Sequence, residues 1–445
     1  MIESADKVNA IERMENVVLI SFDSLRSDYV AQLHPAEAPN FCRMRDEGAF
    51  FSNTIVHVPC TLPSHASMLS GLYPARTGVR DMHHQVPPEL PTMFTLLKER
   101  GFHTMGSSTT PMLTASRAGY KGIDEQVPFR YRCLRKSIIR SKGKRLFVFL
   151  HYWATHTPYE TRLPGIRPAD VALNVLGANR ELENIRFVRR IGDFLWLARI
   201  KRIRTMLKEG DSRIVPALKQ GYKRAIAKAD RFLGGVLRIL EEAGLAEKTL
   251  IVVTGDHGDS FNAHGEIETA SGGRYEHGQF LYDNVLKVPL IFFCPGRKVA
   301  RTFDTQVQQI DIAPTLLDAL GAEYDGRMDG SSLWSNSIIG GIAPKETLAF
   351  SEVVRESLNI ERRSVRSSSY KLLRDSKSNT CELYDLRVDP EEKNDLYPTD
   401  PCAEKTMLLN ELQAFSESRS IDKASYTDAE QQRIEMTLRN LGYID

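Results

Sequence analysis

Length, composition and charge place this chain among ordinary globular proteins. It has 445 residues, of which 42% are hydrophobic and 26% charged, with a formal net charge of +2. These values exclude a disordered chain and give no reason to expect a nucleic-acid partner. Because a single core stops growing at roughly 250–300 residues, we expect one large and one smaller domain.

The sequence also limits where the protein resides. No stretch reaches the roughly 18 apolar residues that a spanning helix needs, and residues 1–15 lack the apolar core of a secretory signal. The six cysteines are scattered without CxxC spacing, so neither a disulfide framework nor a zinc site is predicted. We therefore predict a cytoplasmic protein with reduced thiols.

Continuous apolar, β-branched runs predict strands that are buried on both faces. They occur at 16–22, 146–150, 249–254 and 288–293. Helical periodicity lies between them, at 66–71, 91–100, 219–244 and 312–320. This alternation predicts an α/β fold, a large, mostly parallel sheet sandwiched by helices, whose ligand site lies at the carboxyl ends of the strands.

Beyond about residue 335 the pattern changes to short segments. We predict strands at 348–354, 363–374 and 382–386, closed by a charged helix at 400–418. These elements would form a small C-terminal antiparallel α+β subdomain. The predicted domains are 1–335, with a basic helical insertion at about 165–215, and 336–445.

Polar residues follow the first strand and open a later helix. Asp23 comes directly after residues 16–22, at an edge where a carboxylate suits a hard metal ion, although a turn or helix cap is the alternative. Thr61 precedes Pro63 at the start of an apolar helix, where free backbone N–H groups favour an anion. The alternative is that Thr61 or Ser64 is simply an N-cap.

A third polar segment follows the predicted strand at 249–254. Asp256 and His257 are adjacent there, and His264 and His277 follow on a Gly-rich stretch. Burying these groups together is costly without a metal or a charged ligand. A solvated His-rich loop is the alternative.

Seven motifs in order resemble the signature series of the sulfatase family of the alkaline phosphatase superfamily. They span 16–396 and are FDSLRSD, TLPSHASMLSGLYPARTGV, THTPY, TLIVVTGDHGDSF, HGQFLYDNVLKVPLIFFCPG, QQIDIAPTLLDALG and ELYDLRVDPEEKNDL. The resemblance implies the alkaline phosphatase-like fold. It assigns the metal ligands to Asp23, Asp256, His257 and the nucleophile Thr61. It assigns anion binding and proton transfer to His65, His156, His264 and His277.

Departures from the family pattern shift the expected chemistry. Sulfatases carry Cys or Ser, converted to formylglycine, where this chain has Thr61, and Cys60 stands one residue too early, so we interpret it as a packing residue. Ser24 replaces a second metal-binding Asp, and His65 stands where Arg is usual. The segment before His156 also lacks the usual Asp-Pro. This set is similar to phosphonate and phosphodiester hydrolases and to phosphoglycerol or phosphoethanolamine transferases of the superfamily.

We therefore predict a metal-dependent hydrolase of phosphoesters, phosphodiesters or phosphonate monoesters that works through a covalent Thr61 intermediate. One imidazole among the ligands favours a single Mn²⁺ or Zn²⁺ ion over Ca²⁺ or Mg²⁺. His264 or His277 would protonate the leaving oxygen. The expected substrate is an anionic ester, with glycan-linked and lipid-linked esters both open.

Three alternatives remain at this stage. A phosphotransferase that moves a phospho-head group to a glycan or lipid would share every catalytic residue. A sulfuric ester hydrolase would need to work without formylglycine. An inactive binding protein on the same fold would have no need for the full ligand set.

Residues 180–208 form a basic amphipathic segment with nine basic and three acidic residues. A helix packed over the mouth of the active site is one interpretation. An interfacial helix that makes peripheral contact with anionic lipid, or one that binds an acidic glycan, is the second. Self-association is the third.

Overall fold

The structure is a computed structural model of the chain. It describes residues 14–82, 84–161, 199–264, 278–324, 327–355, 359–399 and 403–417. The predicted proton donor His277 and most of the basic segment, 180–198, lie outside the described residues.

A large central sheet organises residues 16–308. Within the described residues it has nine strands, in the spatial order β4-β3-β5-β1-β6-β7-β2-β8, with β9 beside β2. Their bounds are β1 Asn16–Phe22, β2 Ala49–Ile55, β3 His103–Ser108, β4 Glu125–Gln126, β5 Leu146–Tyr152, β6 Thr249–Gly255, β7 Lys287–Phe293, β8 Arg301–Phe303 and β9 Val307–Gln308.

Most strand pairs in this sheet are parallel, which confirms the predicted fold class. Strand β1 lies at the centre and pairs in parallel with both β5 and β6. Strand β7 is the exception, since it runs antiparallel to β6 and β2. The central position of β1 places the carboxyl ends of β5, β1 and β6 side by side.

Helices cover both faces of this sheet. Along β1, Val17 and Leu19 pack into one apolar cluster, whereas Val18 and Ile20 pack into the opposite one, so the strand is buried on both faces as its apolar run predicted. The helices are α1 Ser27–Ala31, α2 Pro39–Glu47, α3 Thr61–Ser70, α4 Pro74–Thr77, α5 Met93–Lys98, α6 Ala115–Ala118, α7 Tyr131–Arg140, α8 Ile214–Ala243, α9 Asp283–Leu286, α10 Ile312–Ala319 and the π-helical α11 Trp334–Ile339. Short 3-10 turns occupy Pro111–Leu113, Trp153–Thr155, Ala246–Lys248 and Gln309–Asp311.

A second, antiparallel sheet follows in the C-terminal part of the chain. Its strands pair in sequence order and are β10 Ala349–Arg355, β11 Ile360–Arg366, β12 Tyr370–Asp375 and β13 Thr380–Asp385. The predicted strand at 363–374 is wrong, because the chain turns at residues 367–369 and forms two strands there. Helix α12, Ala403–Glu417, packs on this sheet through Leu408 and Leu412. The boundary at residue 335 stays a prediction.

A buried ionic cluster joins the second sheet to helix α9. Lys371 on β12 is fully buried, and its Nζ lies 2.9 Å from Asp283 Oδ1 and 2.6 Å from Glu392 Oε1. Arg366 also pairs with Asp283, at 2.8 Å. Burial alone would raise the pKa of Asp283, but Arg366 and Lys371 bring it below its ordinary value.

Replacing Lys371 with Met should lower the free energy of unfolding by about 3–5 kcal/mol, because the change leaves buried carboxylates without their cation. Lys377→Met is the matched control, since Lys377 is 44% exposed and lies 3.8 Å from Glu361, and it should cost under about 1 kcal/mol. Urea unfolding monitored by circular dichroism measures both changes. Equal losses of unfolding free energy in the two variants would show that the buried ion pairs of Lys371 stabilise the fold no more than the exposed pair of Lys377 does.

The described end of the basic segment is helical over 199–208. Ile203 and Met206 are buried in the core, whereas Lys201 is exposed. This end therefore packs on the protein, and contact between 180–208 and a membrane stays a prediction. Among the described helices, none combines the length and the apolar character needed to cross a bilayer.

Candidate active site

The register of the central strands brings two carboxylates together. Phe22 at the end of β1 pairs with Gly255 at the end of β6, so Asp23 and Asp256 leave the sheet side by side. The backbone N–H of Asp256 donates to the carbonyl of Phe22 at 3.2 Å. Parallel pairing therefore converts two positions 233 residues apart into one site.

Asp23, Asp256 and His257 form a buried cluster whose donor atoms all lie within 4.8 Å of one another. His257 Nε2 is 3.7 Å from Asp23 Oδ1 and 3.6 Å from Asp256 Oδ2. The Oδ1 atom of Asp256 accepts the backbone N–H groups of Ser24, at 3.0 Å, and His257, at 2.8 Å. Ser24 adopts a left-handed conformation, with φ of 62°, which turns its N–H toward the carboxylate.

The proton of His257 is on the nitrogen that faces away from the carboxylates. Nδ1 donates to the carbonyl of Gly258 at 2.9 Å, so Nε2 presents its lone pair to Asp23 and Asp256. Burial lowers the pKa of His257 to about 4, which keeps the ring neutral at pH 7.

The two carboxylates have opposite pKa shifts. Burial would raise the pKa of Asp23, but the imidazoles of His156, His257 and His151 bring it below its ordinary value. Burial and the neighbouring charge of Asp23 raise the pKa of Asp256 well above its ordinary value. Like charges at this separation repel, so the pair favours either a proton or a cation between them.

The donor set fits a divalent cation. Within the described part of the chain, no hydrogen-bond donor reaches Asp256 Oδ2, which is buried. Two carboxylates and a neutral imidazole converge on one point, which is the arrangement that Mn²⁺ and Zn²⁺ accept. Asp23, Asp256 and His257 are therefore the residues that would hold the ion.

Thr61 opens helix α3 beside this cluster. Its hydroxyl lies 3.4 Å from Asp23 Oδ2, and the residue is 3% exposed. Ser64, one turn along, donates to the carbonyl of Asp256 at 2.6 Å, which ties the start of α3 to the loop that carries the cluster. Cys60 is buried, and burial raises the pKa of its thiol to about 11.

The helix N-terminus offers an anion fewer donors than the sequence suggested. The N–H of Leu62 is directed at Met82 Sδ, 3.3 Å away, and Pro63 has no N–H. The N–H of Ser64 donates to the carbonyl of Cys60 at 3.0 Å. An anion would therefore be attracted mainly by a cation held at Asp23, Asp256 and His257, and less by unpaired amides of the helix.

His65 lies behind Thr61, where it is fully buried. Its Nδ1 donates to the carbonyl of Thr61 at 2.7 Å, and its Nε2 accepts from the hydroxyl of Ser21 at 2.9 Å. Burial holds its pKa well below the ordinary value. Both nitrogens are therefore engaged, and His65 is suited to fix the backbone of Thr61.

His156 is brought close to Asp23 by the loop after β5. Thr155 donates to the backbone carbonyl of Asp23 at 2.6 Å. Further along the loop, the Tyr159 hydroxyl donates to the buried carboxylate of Asp259 at 2.6 Å. These contacts fasten the loop that carries His156 to the loop that carries Asp256.

His264 is placed differently from the other predicted histidines. Its ring stacks on Tyr282, with centroids 3.8 Å apart, and its Nε2 donates to the backbone carbonyl of Glu391 at 2.9 Å. The described contacts of His264 thus anchor it to the C-terminal part. His277 lies outside the described residues.

Sequence reasoning missed His151, Asp259 and Tyr159. His151 is the penultimate residue of β5, and its Nε2 lies 3.5 Å from Asp23 Oδ2. It follows the apolar run LFVFL, which predicts a strand but does not show which neighbour the imidazole faces. Asp259 follows the Asp256-His257 pair by a few residues, so its place in the sequence could have identified it as a residue of the site.

The fold and the buried carboxylate–imidazole cluster define an ester hydrolase of the alkaline phosphatase superfamily. The profile described as Sulfatase matches residues 15–131 and 131–322. A second profile, described as N-sulphoglucosamine sulphohydrolase, C-terminal, matches residues 273–418. The chain belongs to the sulfatase family, whose members are generally metal-dependent.

Sequence identity to curated relatives is lower over most of the chain than over one short segment of it. Arylsulfatase K of Danio rerio is 22% identical over 459 residues, which cover 92% of this chain and 86% of that protein. The low-salt glycan biosynthesis sulfotransferase Agl7 of Haloferax volcanii is 34% identical over 120 residues, which cover 27% of this chain and only 28% of that protein.

Solved structures share the fold. The phosphonate monoester hydrolase of Agrobacterium radiobacter has a TM-score of 0.69 at 16% identity, with 93% of this chain and 97% of that chain covered. BT4656, solved in complex with D-glucosamine-2-N,6-O-disulfate, has a TM-score of 0.68 at 18% identity, with 98% and 99% covered.

Proposed function

We propose that this protein hydrolyses anionic phosphoric esters, as phosphodiesters, phosphonate monoesters or phosphomonoesters, through a covalent intermediate on Thr61. The observation that carries this proposal is the Thr61 hydroxyl, 3.4 Å from Asp23 Oδ2 at the edge of the buried donor cluster. A divalent ion held by Asp23, Asp256 and His257 would lower the pKa of that hydroxyl and offset the charge of the ester.

The chemistry of threonine supports phosphorus over sulfur. Its Cβ carries a methyl group, so oxidation would give a ketone, and Thr61 cannot become the formylglycine that the family uses to release sulfate. An ester formed on Thr61 must therefore be released by a second attack at the central atom. Attack at phosphorus by water is a route open to a phospho-threonine.

The proposed reaction has two displacements. Deprotonated Oγ1 of Thr61 attacks phosphorus, the bond between phosphorus and the leaving oxygen breaks, and an imidazole protonates that oxygen. Water then attacks the phospho-threonine and gives a proton to the imidazole that protonated the leaving oxygen, the Thr61–phosphorus bond breaks, and Oγ1 of Thr61 regains a proton. His156 would bind the anionic ester, while His277 remains the predicted proton donor and His264 the predicted alternative. The contact of His264 Nε2 with Glu391 would have to break before it donated to a substrate.

A transferase is the second candidate. The local match to a protein named as a glycan biosynthesis sulfotransferase favours it, because a covalent Thr61 ester can be resolved by an acceptor alcohol as well as by water. A sulfuric ester hydrolase is supported by the sulfatase names of other relatives. An inactive binding protein is disfavoured, since binding alone does not need a nucleophile beside a complete ligand set.

A panel of aryl esters with one common leaving group tests whether the protein prefers phosphorus esters or sulfate esters. It compares a phosphate diester, a phosphonate monoester, a phosphate monoester and a sulfate monoester on Mn²⁺- and Zn²⁺-loaded protein. We expect kcat/KM to be highest for a phosphorus ester and at least about tenfold lower for sulfate, a difference of about 1.4 kcal/mol in the barrier. A preparation of Thr61→Ala protein measures contaminating phosphatase. Highest activity on the sulfate ester would overturn the proposal, and release only to an added alcohol would favour the transferase.

A further inference from the structure

His151 is an additional buried imidazole at the candidate metal centre. It pairs with Ser21 across β5 and β1, and it is fully buried. Its Nε2 lies 3.5 Å from Asp23 Oδ2. Among the described residues no group forms a hydrogen bond of good geometry with this nitrogen, and the Asp23 carboxylate is the polar group that it faces.

Two groups of donor atoms have metal-binding spacing, and they share one carboxylate. The first contains Asp23, Asp256 and His257, and the second contains His65, His151 and Asp256. His65 cannot act as a ligand as it stands, because Nδ1 donates to Thr61 and Nε2 accepts from Ser21. Without His65 the second group keeps only His151 and Asp256, and Asp256 also belongs to the first group.

The distances fit a single ion. Ligands about 2.0–2.2 Å from a cation lie roughly 3.0–3.5 Å from one another. The separations here are 3.5 Å from His151 Nε2 to Asp23, 3.7 Å from His257 Nε2 to Asp23 and 3.6 Å from His257 Nε2 to Asp256. The 3.5 Å and 3.7 Å contacts are made by opposite oxygens of Asp23, Oδ2 and Oδ1, so an ion chelated by both oxygens would have His151 on one side and His257 on the other.

We propose that His151 is a ligand of the same divalent ion as Asp23, Asp256 and His257. The proposal rests on the metal dependence in the proposed function and adds a second imidazole to its ligand set. Two imidazoles disfavour Ca²⁺ and Mg²⁺, which prefer oxygen donors, and favour Mn²⁺ or Zn²⁺. The site therefore selects the metal partly through a residue that no motif marks.

Metal titration of substrate-free protein tests this role. Isothermal titration calorimetry with Mn²⁺ compares wild type with His151→Gln. We expect about one ion per chain and a Kd weakened more than roughly 10²-fold in the variant, above the 10–100-fold typical of losing a supporting partner. His57→Gln is the matched control, since His57 is equally buried and its Nδ1 donates to the carbonyl of Phe350 at 2.7 Å. The control should bind Mn²⁺ like wild type.

Electron spin echo spectroscopy of bound Mn²⁺ keeps the proposal testable if His151→Gln does not fold. It should detect two coordinated imidazoles in wild type and one in a folded variant. One imidazole in wild type, unchanged affinity in His151→Gln, or two ions per chain would each overturn the proposal. No substrate is present, so failure of Thr61 as nucleophile leaves these results unaffected.

Discussion

Replacing Thr61 with Ala is expected to lower turnover at least about 10³-fold, because it removes the nucleophile itself. The fold and metal affinity should change little, since Thr61 is small and contributes one hydroxyl beside Asp23, 3.4 Å away. Steady-state kinetics on the best ester of the panel, with thermal melting and metal titration, measure the three properties separately.

Two further substitutions at Thr61 separate the loss of the hydroxyl from the loss of volume. Thr61→Val keeps the branched shape and should be as inactive as Thr61→Ala. Thr61→Ser keeps the hydroxyl and should retain part of the activity. Near wild-type turnover by Thr61→Val would show that another group attacks the ester.

Replacing Asp256 with Asn should have the second largest effect. Oδ1 already accepts the N–H groups of Ser24 and His257, so the amide oxygen would take that place and the amide N–H₂ would face the ion. We expect metal affinity to fall by more than about 10²-fold, with loss of turnover at ordinary metal concentrations. Calorimetric titration and activity as a function of metal concentration measure both effects.

In the absence of metal, the Asp256→Asn substitution should not lower the stability of the protein. Without an ion, the two buried carboxylates must either repel each other or bind a proton, and the amide at position 256 requires neither. Its melting temperature in a chelator should therefore equal or exceed that of wild type. Asp259→Asn is the control, because Asp259 is a buried carboxylate held by Tyr159 at 2.6 Å, and it should keep wild-type metal affinity. A less stable metal-free Asp256→Asn protein would contradict the repulsion argument.

Much of the fold is evident in the sequence because its buried strands are continuous apolar runs. Strand β1 begins and ends where the NVVLISF run does. Strands β2 and β3 were not predicted, because AFFSNTI contains a polar pair and HTMGSS has little apolar character. Their strand conformation depends on pairing with β7 and β5, which local pattern does not encode.

The C-terminal sheet contains two strands that the sequence pattern did not separate. Strands β11 and β12 were predicted as one because the turn at residues 367–369 contains only serines, without the Gly or Pro that usually mark a turn. A hydrogen bond from the Ser367 N–H to the Tyr370 carbonyl, 2.9 Å long, closes that turn. The Ser367 hydroxyl also accepts the N–H groups of Ser369, at 3.3 Å, and Tyr370, at 2.9 Å, so serine stabilises this turn through its side chain, which is a weaker sequence signal than Gly or Pro.

For the candidate site, the sequence predicted the clustering of Asp23, Asp256 and His257 better than the individual contacts of each residue. The motifs led to Asp23, Asp256 and His257, whose donor atoms the structure brings together. The engagement of both nitrogens of His65, by contrast, depends on Ser21 in a different strand. The proximity of His151 to Asp23 likewise depends on the register of β5 against β1.

The stereochemical course at phosphorus tests the central claim most directly. An isotopically chiral phosphorus ester, hydrolysed by metal-loaded wild-type protein, should give product with retained configuration, because attack by Thr61 and then by water inverts the centre twice. Overall inversion would mean a single direct attack by water, and would contradict a covalent Thr61 intermediate.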